Sequence, residues 1–456
     1  MLTAQQRAAA ERRTDGNPTG GEAASDGQGV RSSQAGRPAR DLLIEVARQD
    51  AQAADERRKL GPQVAAAVVD AGFPRHFVPV RWGGAAGTFG QLLADASAVA
   101  EACAAAGWCA ALYAAHGRLA AYLPERGQRD LWANGPDVRI AASIVPPQGR
   151  ATAVTDGWRL DGEWRTASGV DHAEWVLLAS WTPGGDGARE HRVFAVPREE
   201  LSVLDTWDSV GLRGSGSNSV TADGIVVPAH RSFTLGALLS PLPDAARCHR
   251  VPYPMVAALM FAAPVLGAAR AALRAWADDC VQEAPGRRPG QNLLLARVSA
   301  RLHAAGLLLE GAADRADRHG ATPLAVAENR RDAATAVAWC REAVDDLFHA
   351  SGLHGQSPDS RLQRAWRMSR RPRLTGPSAS TRRPTRTRTR LWRVEVPDDD
   401  GDRDGVSDTG LLRRGRNAHR REEHDRVLEA LVAPAPHAGR HRLAGVADGG
   451  DGDPRP

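Results

Sequence analysis

The stretch Trp158-Arg159-Leu160-Asp161-Gly162-Glu163-Trp164-Arg165-Thr166-Ala167-Ser168-Gly169-Val170-Asp171-His172-Ala173-Glu174-Trp175 decides how this chain folds. Trp158–Leu160 is a short strand candidate, Asp161-Gly162 is a turn signal, and Trp164–Gly169 reads as a strand running into a turn. Period-two patterning extends to both sides of it. Arg139–Val145, Trp175–Ala179, Arg192–Val196 and Ser219–Val227 are further strand candidates, divided by Gly, Pro and Asp turns. Together they predict a β-barrel or sandwich over residues 136–232.

Outward from that block the spacing changes to three and four. Leu42, Leu43 and Val46, and later Val64, Ala67 and Val68, predict helix from about Asp41 to a stop at Gly72-Phe73-Pro74. Gln91–Leu123 predicts two further helices with alanine-rich faces and a break near Gly107. These make an N-terminal helical domain over 39–135. Beyond the β block, Met255–Trp276, Leu293–Arg318 and Asp332–Ala350 are long amphipathic helices within a helical domain over 240–367. The third buries Val337, Cys340, Val344 and Phe348 and ends at Ser351-Gly352, with glycine in the C′ position. The fold class is α+β: a helical N-terminal domain, a central β-barrel and a C-terminal helical bundle.

Composition excludes several classes. The 456 residues are 42% hydrophobic and 25% charged, with a mean hydropathy of −0.38, which rules out a generally disordered or membrane-embedded chain. No apolar run approaches the roughly 20 residues that cross a bilayer, and no apolar signal segment opens the chain. Cys103, Cys109, Cys248, Cys280 and Cys340 are odd in number and form no CxxC pair, so neither a disulfide scaffold nor a metal site is expected. A reducing, cytoplasmic setting follows from that pattern.

The net charge of +5 and pI near 9.3 suggest nucleic acid at first. Twelve arginines, with no Asp or Glu, lie between Arg361 and Arg393, and without them the chain carries −7. Lys59 is the only lysine, which points to coding bias more than to a built basic patch. No nucleic-acid partner and no membrane partner are expected. Residues 1–38 are rich in Gly, Ser, Arg and Gln and read as a disordered arm, and 368–456 as an atypical, disordered tail.

Four stretches resemble the acyl-CoA dehydrogenase fold, and more closely its flavin-dependent monooxygenase branch, the two-component hydroxylases related to 4-hydroxyphenylacetate hydroxylase. They are residues 158–175; Gly72-Phe73-Pro74 with Val78-Pro79 and Gly83-Gly84; Asp205-Thr206-Trp207-Asp208-Ser209-Val210-Gly211-Leu212-Arg213-Gly214-Ser215-Gly216-Ser217-Asn218; and Leu362-Gln363-Arg364-Ala365-Trp366-Arg367. The resemblance runs from about residue 40 to 367. It implies hydroxylation of a small aromatic molecule, phenolic or of polyketide type, through a C4a-hydroperoxyflavin. It also implies reduced FMN or FADH2 as cofactor, O2 as co-substrate and a separate NAD(P)H:flavin reductase. The absence of a nicotinamide motif fits that division of labour. A homotetramer is implied as well.

The same resemblance assigns site residues. Trp164, Thr166 and Ser168 would lie against the flavin, with Ser168 near N5, where a hydroxyl can donate to the hydroperoxide. Ser143 is the second hydroxyl near the flavin, and His116 would hold or deprotonate a phenol. The alternatives are that the serines satisfy strand ends and that His116 sits at a helix interface. The loop at 214–218 lacks the third glycine of GxGxxG and any surrounding βαβ unit, so Arg213 and Ser215 are expected to line the flavin pocket rather than a Rossmann site. Ser351, Gly352 and Arg364 would reach a neighbouring subunit's cofactor. His172 is expected to make a local hydrogen bond, and Trp82, Trp108, Trp158 and Trp175 to serve as core or pocket wall.

Two rival readings stand beside this one. An acyl-CoA dehydrogenase-like oxidoreductase needs a carboxylate base, and the helix after Arg250-Val251-Pro252-Tyr253-Pro254 offers Met255, Ala257 and Ala258 but no Glu. An inactive relative is suggested by the tail, because Met368-Ser369-Arg370-Arg371-Pro372 stands where the family continues into Asp and then histidines. Permitted codons for Met368–Arg383, shifted by one base, read Asp-Val-Thr-Pro-Ala-Thr-Ala-His-Arg-Pro-Ile-Gly-Val-Asp-Glu-Ala. That register restores both features, so a frame slip at codon 367 is expected.

Overall fold

The computed structural model of the chain describes residues 37–184, 189–243, 245–283, 289–357 and 359–369. The expected arm up to residue 36 and the tail from 370 onward lie outside them. Helix α1 (Arg37–Arg57) begins four residues ahead of Asp41. The single helix expected to run on to Gly72 is two helices, because Arg58 takes a left-handed φ of 61°. Gly61 and Pro62 then open α2 (Pro62–Asp70), where a first-turn proline costs no hydrogen bond. Helix α3 (Phe89–Ala102) starts at Thr88, whose hydroxyl accepts from the Gln91 N–H at 3.2 Å.

The break before α4 (Ala104–Ala120) falls at Cys103, extended at φ −147°, and not near Gly107. Gly107 is inside α4 because it packs on Ala100 of α3, where a Cβ would come within 2.5 Å of the Ala100 Cβ. The glycine thus serves helix contact, not chain reversal. Helix α5 (Glu125–Trp132) completes the first helical group.

The described residues then form the strands β1 (Ile140–Ser143), β2 (Arg150–Val154), β3 (Gly157–Ala167), β4 (Trp175–Pro183), β5 (Arg189–Pro197), β6 (Ser202–Leu204), β7 (Asn218–Pro228) and β8 (Ser232–Thr234). They form two four-stranded sheets, ordered β1-β4-β5-β8 and β2-β3-β7-β6, so the central unit is a sandwich of separate sheets rather than one closed ring. Among the described residues only β1 and β4 pair in parallel, with Ile140 opposite Trp175 and Ser143 opposite Leu178. Ala141, Val176, Leu178, Phe194 and Val196 of the first sheet meet Leu160, Trp164, Val220 and Val227 of the second in one core. Ile140, Leu177, Val193 and Ala195, on the first sheet's other face, pack on Leu119, Leu123 and Trp132 of the helical group. That double burial explains the continuous apolar run in β4, which strict alternation would not produce. Strand β3, whose pairing with β7 is interrupted between Leu160 and Gly162 and between Trp164 and Ala167, buries Gly157, Leu160, Trp164 and Ala167 instead of strictly alternate residues.

The second helical group comprises α6 (Arg247–Arg250), α7 (Tyr253–Glu283), α8 (Pro289–Arg318), α9 (Pro323–Ala350) and α10 (Arg361–Ser369). Helix α7 packs against α3, α4, α8, α9 and α10. Its segment Tyr253–Cys280 is long and apolar enough to cross a membrane, with a window hydropathy of 1.8, which corrects the expectation that no such run exists. Two-thirds of that window (67%) is buried against other helices, the condition of a central bundle helix with little solvent face. At the end of α9, Leu347 is fully buried, while Phe348 is only half-buried and stacks on Trp366 of α10 at 4.3 Å. Gly352 takes φ 59° just past the helix, the left-handed geometry its C′ position requires. Helix α10 continues through Met368 and Ser369, both buried, two residues past the expected domain end.

Candidate functional site

Helix α4 is the spine of the site. Trp108, Cys109, Tyr113 and His116 fall within about 140° of its circumference at 3.6 residues per turn, so one face carries all four. That face is pressed against β1, the Ser168-Gly169 turn and the Ser215 loop. The Tyr113 hydroxyl donates to the Gly169 carbonyl at 2.7 Å, and the Cys109 thiol to the Ser215 carbonyl at 3.6 Å. Burial pushes both the thiol and the phenol upward in pKa, so neither ionises at neutral pH.

His116 is buried and its Nδ1 lies 2.7 Å from the Ile140 carbonyl oxygen. A carbonyl can only accept, so Nδ1 carries the proton and Nε2 holds the lone pair. Nε2 has no hydrogen-bond partner and is not among the buried polar atoms closed off from solvent. Burial lowers the pKa to about 4, against a smaller opposing effect from the Ile140 bond, which keeps the ring neutral. The site therefore offers a neutral imidazole acceptor.

Three serines and an indole form the second feature. Trp108 Nε1 lies 3.2 Å from Ser168 Oγ, Ser168 Oγ is 2.7 Å from Ser217 Oγ, and Ser217 Oγ is 2.7 Å from Ser215 Oγ. Ser215 Oγ donates to the Leu212 carbonyl at 2.8 Å. Nearby, Ser143 donates to the Arg165 carbonyl at 2.6 Å and accepts from Gln148 Nε2 at 3.2 Å. The Thr166 hydroxyl donates to the same Arg165 oxygen at 2.6 Å.

Thr166 stands at an irregularity between Trp164 and Ala167 in the β3–β7 pairing, exposed and at φ +64°. A β-branched residue in the left-handed region costs on the order of 1–3 kcal/mol. Such bulges re-aim side chains at sheet edges and beside active sites.

The loop Asp205–Asn218 is held from several sides. Asn218 Oδ1 accepts the N–H groups of Thr206 and Trp207 at 3.1 and 3.0 Å. Arg213 donates to Asp208 at 2.9 Å, to the Ser209 carbonyl at 3.2 Å and to the Asp55 carbonyl on α1 at 3.2 Å. Arg367 of α10 pairs with Asp55 at 2.7 Å and donates to the Val210 carbonyl at 3.0 Å. The N–H groups of Ser215, Gly216 and Asn218 are spent on the carbonyls of Leu212, Arg213 and Gly216, so this loop is no phosphate nest.

The residues picked from sequence therefore divide. Ser168 and Ser215 share one hydroxyl chain, Ser143 and Thr166 share one acceptor, and His116 reaches the same strand β1 as Ser143. Trp164 is different: it is fully buried in the sandwich core and donates to the Ala179 carbonyl at 2.9 Å, so its ring offers no face to a ligand. An indole buries roughly 150–250 Å², about 4–6 kcal/mol at 25 cal/mol per Å², which accounts for its place by packing alone. Arg213 holds the loop rather than an open cleft. Ser351 donates to the Phe348 carbonyl at 2.7 Å, Gly352 is exposed, and Arg364 donates to the Asp359 carbonyl at 3.2 Å, so none of these three joins the hydroxyl cluster within the subunit.

His172 donates to the Leu60 carbonyl at 2.9 Å, a bond across the fold rather than a local one. Sequence reasoning left out Ser217 and gave Trp108 no role beyond core or wall. The α4 spacing of Trp108, Tyr113 and His116 could have placed Trp108 in the site. The first turns of α7 bury Met255 and Val256 and offer no carboxylate base.

These residues suit the polar edge of a flavin beside a phenol-sized substrate. Ser168 retains one unused lone pair, Thr166 faces outward from its bulge, and His116 Nε2 remains open. Among the described residues no cluster of His, Cys, Asp or Glu could hold a metal.

The chain as a whole is similar to known proteins. A match to the family described as "Acyl-CoA dehydrogenase, C-terminal domain" covers residues 259–368. The chain is 30% identical over 359 residues to the oxygenase component of an FADH(2)-dependent resorcinol hydroxylase from Rhizobium sp. (strain MTP-10005), covering 71% of this chain and 86% of that protein. It is 28% identical over 359 residues to the flavin-dependent monooxygenase oxygenase subunit HsaA of Rhodococcus jostii (strain RHA1), covering 72% of this chain and 90% of that protein. The crystal structure of 3-HSA hydroxylase from Rhodococcus sp. RHA1 superposes with a TM-score of 0.68 at 28% identity, covering 74% of this chain and 90% of that one.

Proposed function

Since the chain belongs to the flavin-dependent monooxygenase family built on the acyl-CoA dehydrogenase fold, we propose that it is the oxygenase component of a two-component hydroxylase. The substrate is a small aromatic molecule, phenolic or of polyketide type. Reduced FMN or FADH2 comes from a separate NAD(P)H:flavin reductase, and O2 is the co-substrate. Bound reduced flavin would supply the electrons that activate O2; the chain's own residues bind, orient and shield.

The observation that carries this reading is the His116–Ile140 bond, which leaves Nε2 as an open acceptor on the same face of α4 that meets the hydroxyl cluster through Trp108. A phenol O–H donates to it. Full proton transfer is a different matter, since a phenol near pKa 10 facing an imidazole lowered to about 4 makes it uphill by roughly 8 kcal/mol at 1.36 kcal/mol per unit. His116 therefore holds the phenol through a hydrogen bond and receives its proton only as the ring gives up electrons to oxygen. Ser143 and Ser168 meet the ligands as acceptors.

Assembly as a homotetramer belongs to the same proposal. Leu293, Ala296, Ala300 and Leu307 recur at spacings of three, four and seven along one exposed side of α8, with Leu293 71% and Leu307 54% exposed. That stripe is suited to a helix from another subunit. In such an assembly Ser351, Gly352 and Arg364 would reach a neighbour's cofactor. A frame slip after Arg367 belongs to the same reading, and resequencing across codon 367 decides it.

The test is to supply reduced FMN or FADH2 through a reductase, with O2 and a panel of resorcinol and para-substituted phenols. Hydroxylated product on at least one phenol is expected. Peroxide release equal to all flavin oxidised, with every phenol in the panel, would overturn the assignment.

A further inference from the structure

The hydroxyl chain through Ser168 has a fixed direction. Leu212's carbonyl can only accept, so it takes the single proton of Ser215. Ser215 then has only lone pairs for Ser217, which must donate to it across 2.7 Å. Ser217, its proton spent, can only accept from Ser168 across the next 2.7 Å. At the far end the Trp108 indole N–H, which is only ever a donor, fills one lone pair of Ser168 at 3.2 Å. Every proton in the run is committed, and Ser168 keeps one lone pair and nothing to give. The expectation from sequence was the opposite, a Ser168 hydroxyl free to donate.

We propose that Ser217 and Ser215 are positioning residues that make Ser168 an acceptor only, and that this polarity selects the reduced flavin over the oxidised one. The proposal rests on the flavin reading above, with Ser168 beside the flavin N5. Reduced flavin carries a hydrogen on N5 and can donate to Ser168. Oxidised flavin has a bare lone pair there, which faces a second lone pair and repels it. Ser143, whose proton goes to the Arg165 carbonyl, and His116, whose Nδ1 proton goes to Ile140, are likewise acceptors toward any ligand. A site lined this way favours donors: an N5–H and a neutral phenol. An oxygenase component that must take reduced flavin from a partner and release the oxidised form gains directly from such a preference.

The experiment measures dissociation constants for reduced FMN, anaerobically, and for oxidised FMN, in the wild type, Ser217→Ala and Ser215→Ala. Either substitution frees the Ser168 proton to turn toward N5. Each variant should bind oxidised FMN more tightly and lower the ratio of oxidised to reduced constants by about threefold to tenfold, the usual worth of one hydrogen bond. The bound flavin's midpoint potential should shift with it, at about 30 mV per tenfold for a two-electron couple. Ser217→Thr, which restores a hydroxyl, should return the ratio toward the wild type. A merely structural role for these serines would weaken both constants together. If both alanine variants bind reduced FMN as the wild type does and leave the ratio unchanged, the proposal is overturned and the flavin reading survives. If the wild type binds neither form, both fail.

Discussion

The Nδ1–H of His116 is donated to the carbonyl oxygen of Ile140 at 2.7 Å, joining the middle of α4 to the first residue of β1. One bond thus sets the tautomer of the imidazole and docks the helical group on the sheet. His116→Ala should lower the yield of hydroxylated product per reduced flavin by about 100-fold or more, the range for a positioned acid–base group. Reduced-flavin affinity should change little. A variant that still couples flavin oxidation to product as the wild type does would remove His116 from the reaction.

Acid should destabilise the fold in a defined window. His116 and His249 are both buried, with burial holding each pKa at about 4, whereas an unfolded histidine titrates near 6.5. The unfolded chain therefore binds more protons between those values, and the stabilising contribution is complete above pH 6.5 and is lost as pH falls toward 4. The loss is on the order of 3 kcal/mol for His116, which is 7% exposed. Urea midpoints at pH 7.5 and pH 5 should differ, and His116→Gln/His249→Gln should flatten the difference. An unchanged slope in the double variant would assign the pH dependence to other groups.

Thr166→Gly should stabilise the protein while weakening its function. Glycine accepts φ +64° without the strain a β-branched residue meets there. A gain of about 1 kcal/mol and roughly 2 °C in melting temperature is expected, together with weaker binding of reduced FMN. If the melting temperature falls, the Thr166 hydroxyl bond to Arg165 outweighs the strain.

Gly107→Ala should be strongly destabilising. Its Cβ would lie 2.5 Å from the Ala100 Cβ and 2.7 Å from the Ala100 backbone, so α3 and α4 must separate. A loss of about 2 kcal/mol or more is expected from overpacking, with reduced flavin affinity because Trp108 is the next residue. Chemical denaturation and flavin titration of the same variant check both effects.

Leu307→Glu on the outer side of α8 should dissociate the proposed tetramer without unfolding the subunit, since Leu307 is 54% exposed. Light scattering with size-exclusion chromatography reads the mass, and circular dichroism the fold. A tetramer that persists would place the interface elsewhere.

Sequence by itself determined the order of helices, sheet and helices, because three- and two-residue periodicities mark which faces are apolar, and burial of those faces is the main driving force for folding. It also placed Ser168 and His116 in the candidate site, through a long pattern that short motifs would not have supplied. It did not fix every helix break: Cys103 carries no breaker signal yet is extended at φ −147°, whereas the break after Arg57 does carry one, in Gly61-Pro62. Nor could it separate Trp164 from Trp108. Both are indoles in plausible stretches, yet one is sealed between two sheets and the other donates to Ser168. Above all, the direction of the Ser168 proton depends on Ser217, Ser215 and a carbonyl at Leu212, residues 44 to 49 positions away that only the folded chain brings into line. A sequence lists which groups can donate, and the tertiary structure decides which of them have a proton left to give.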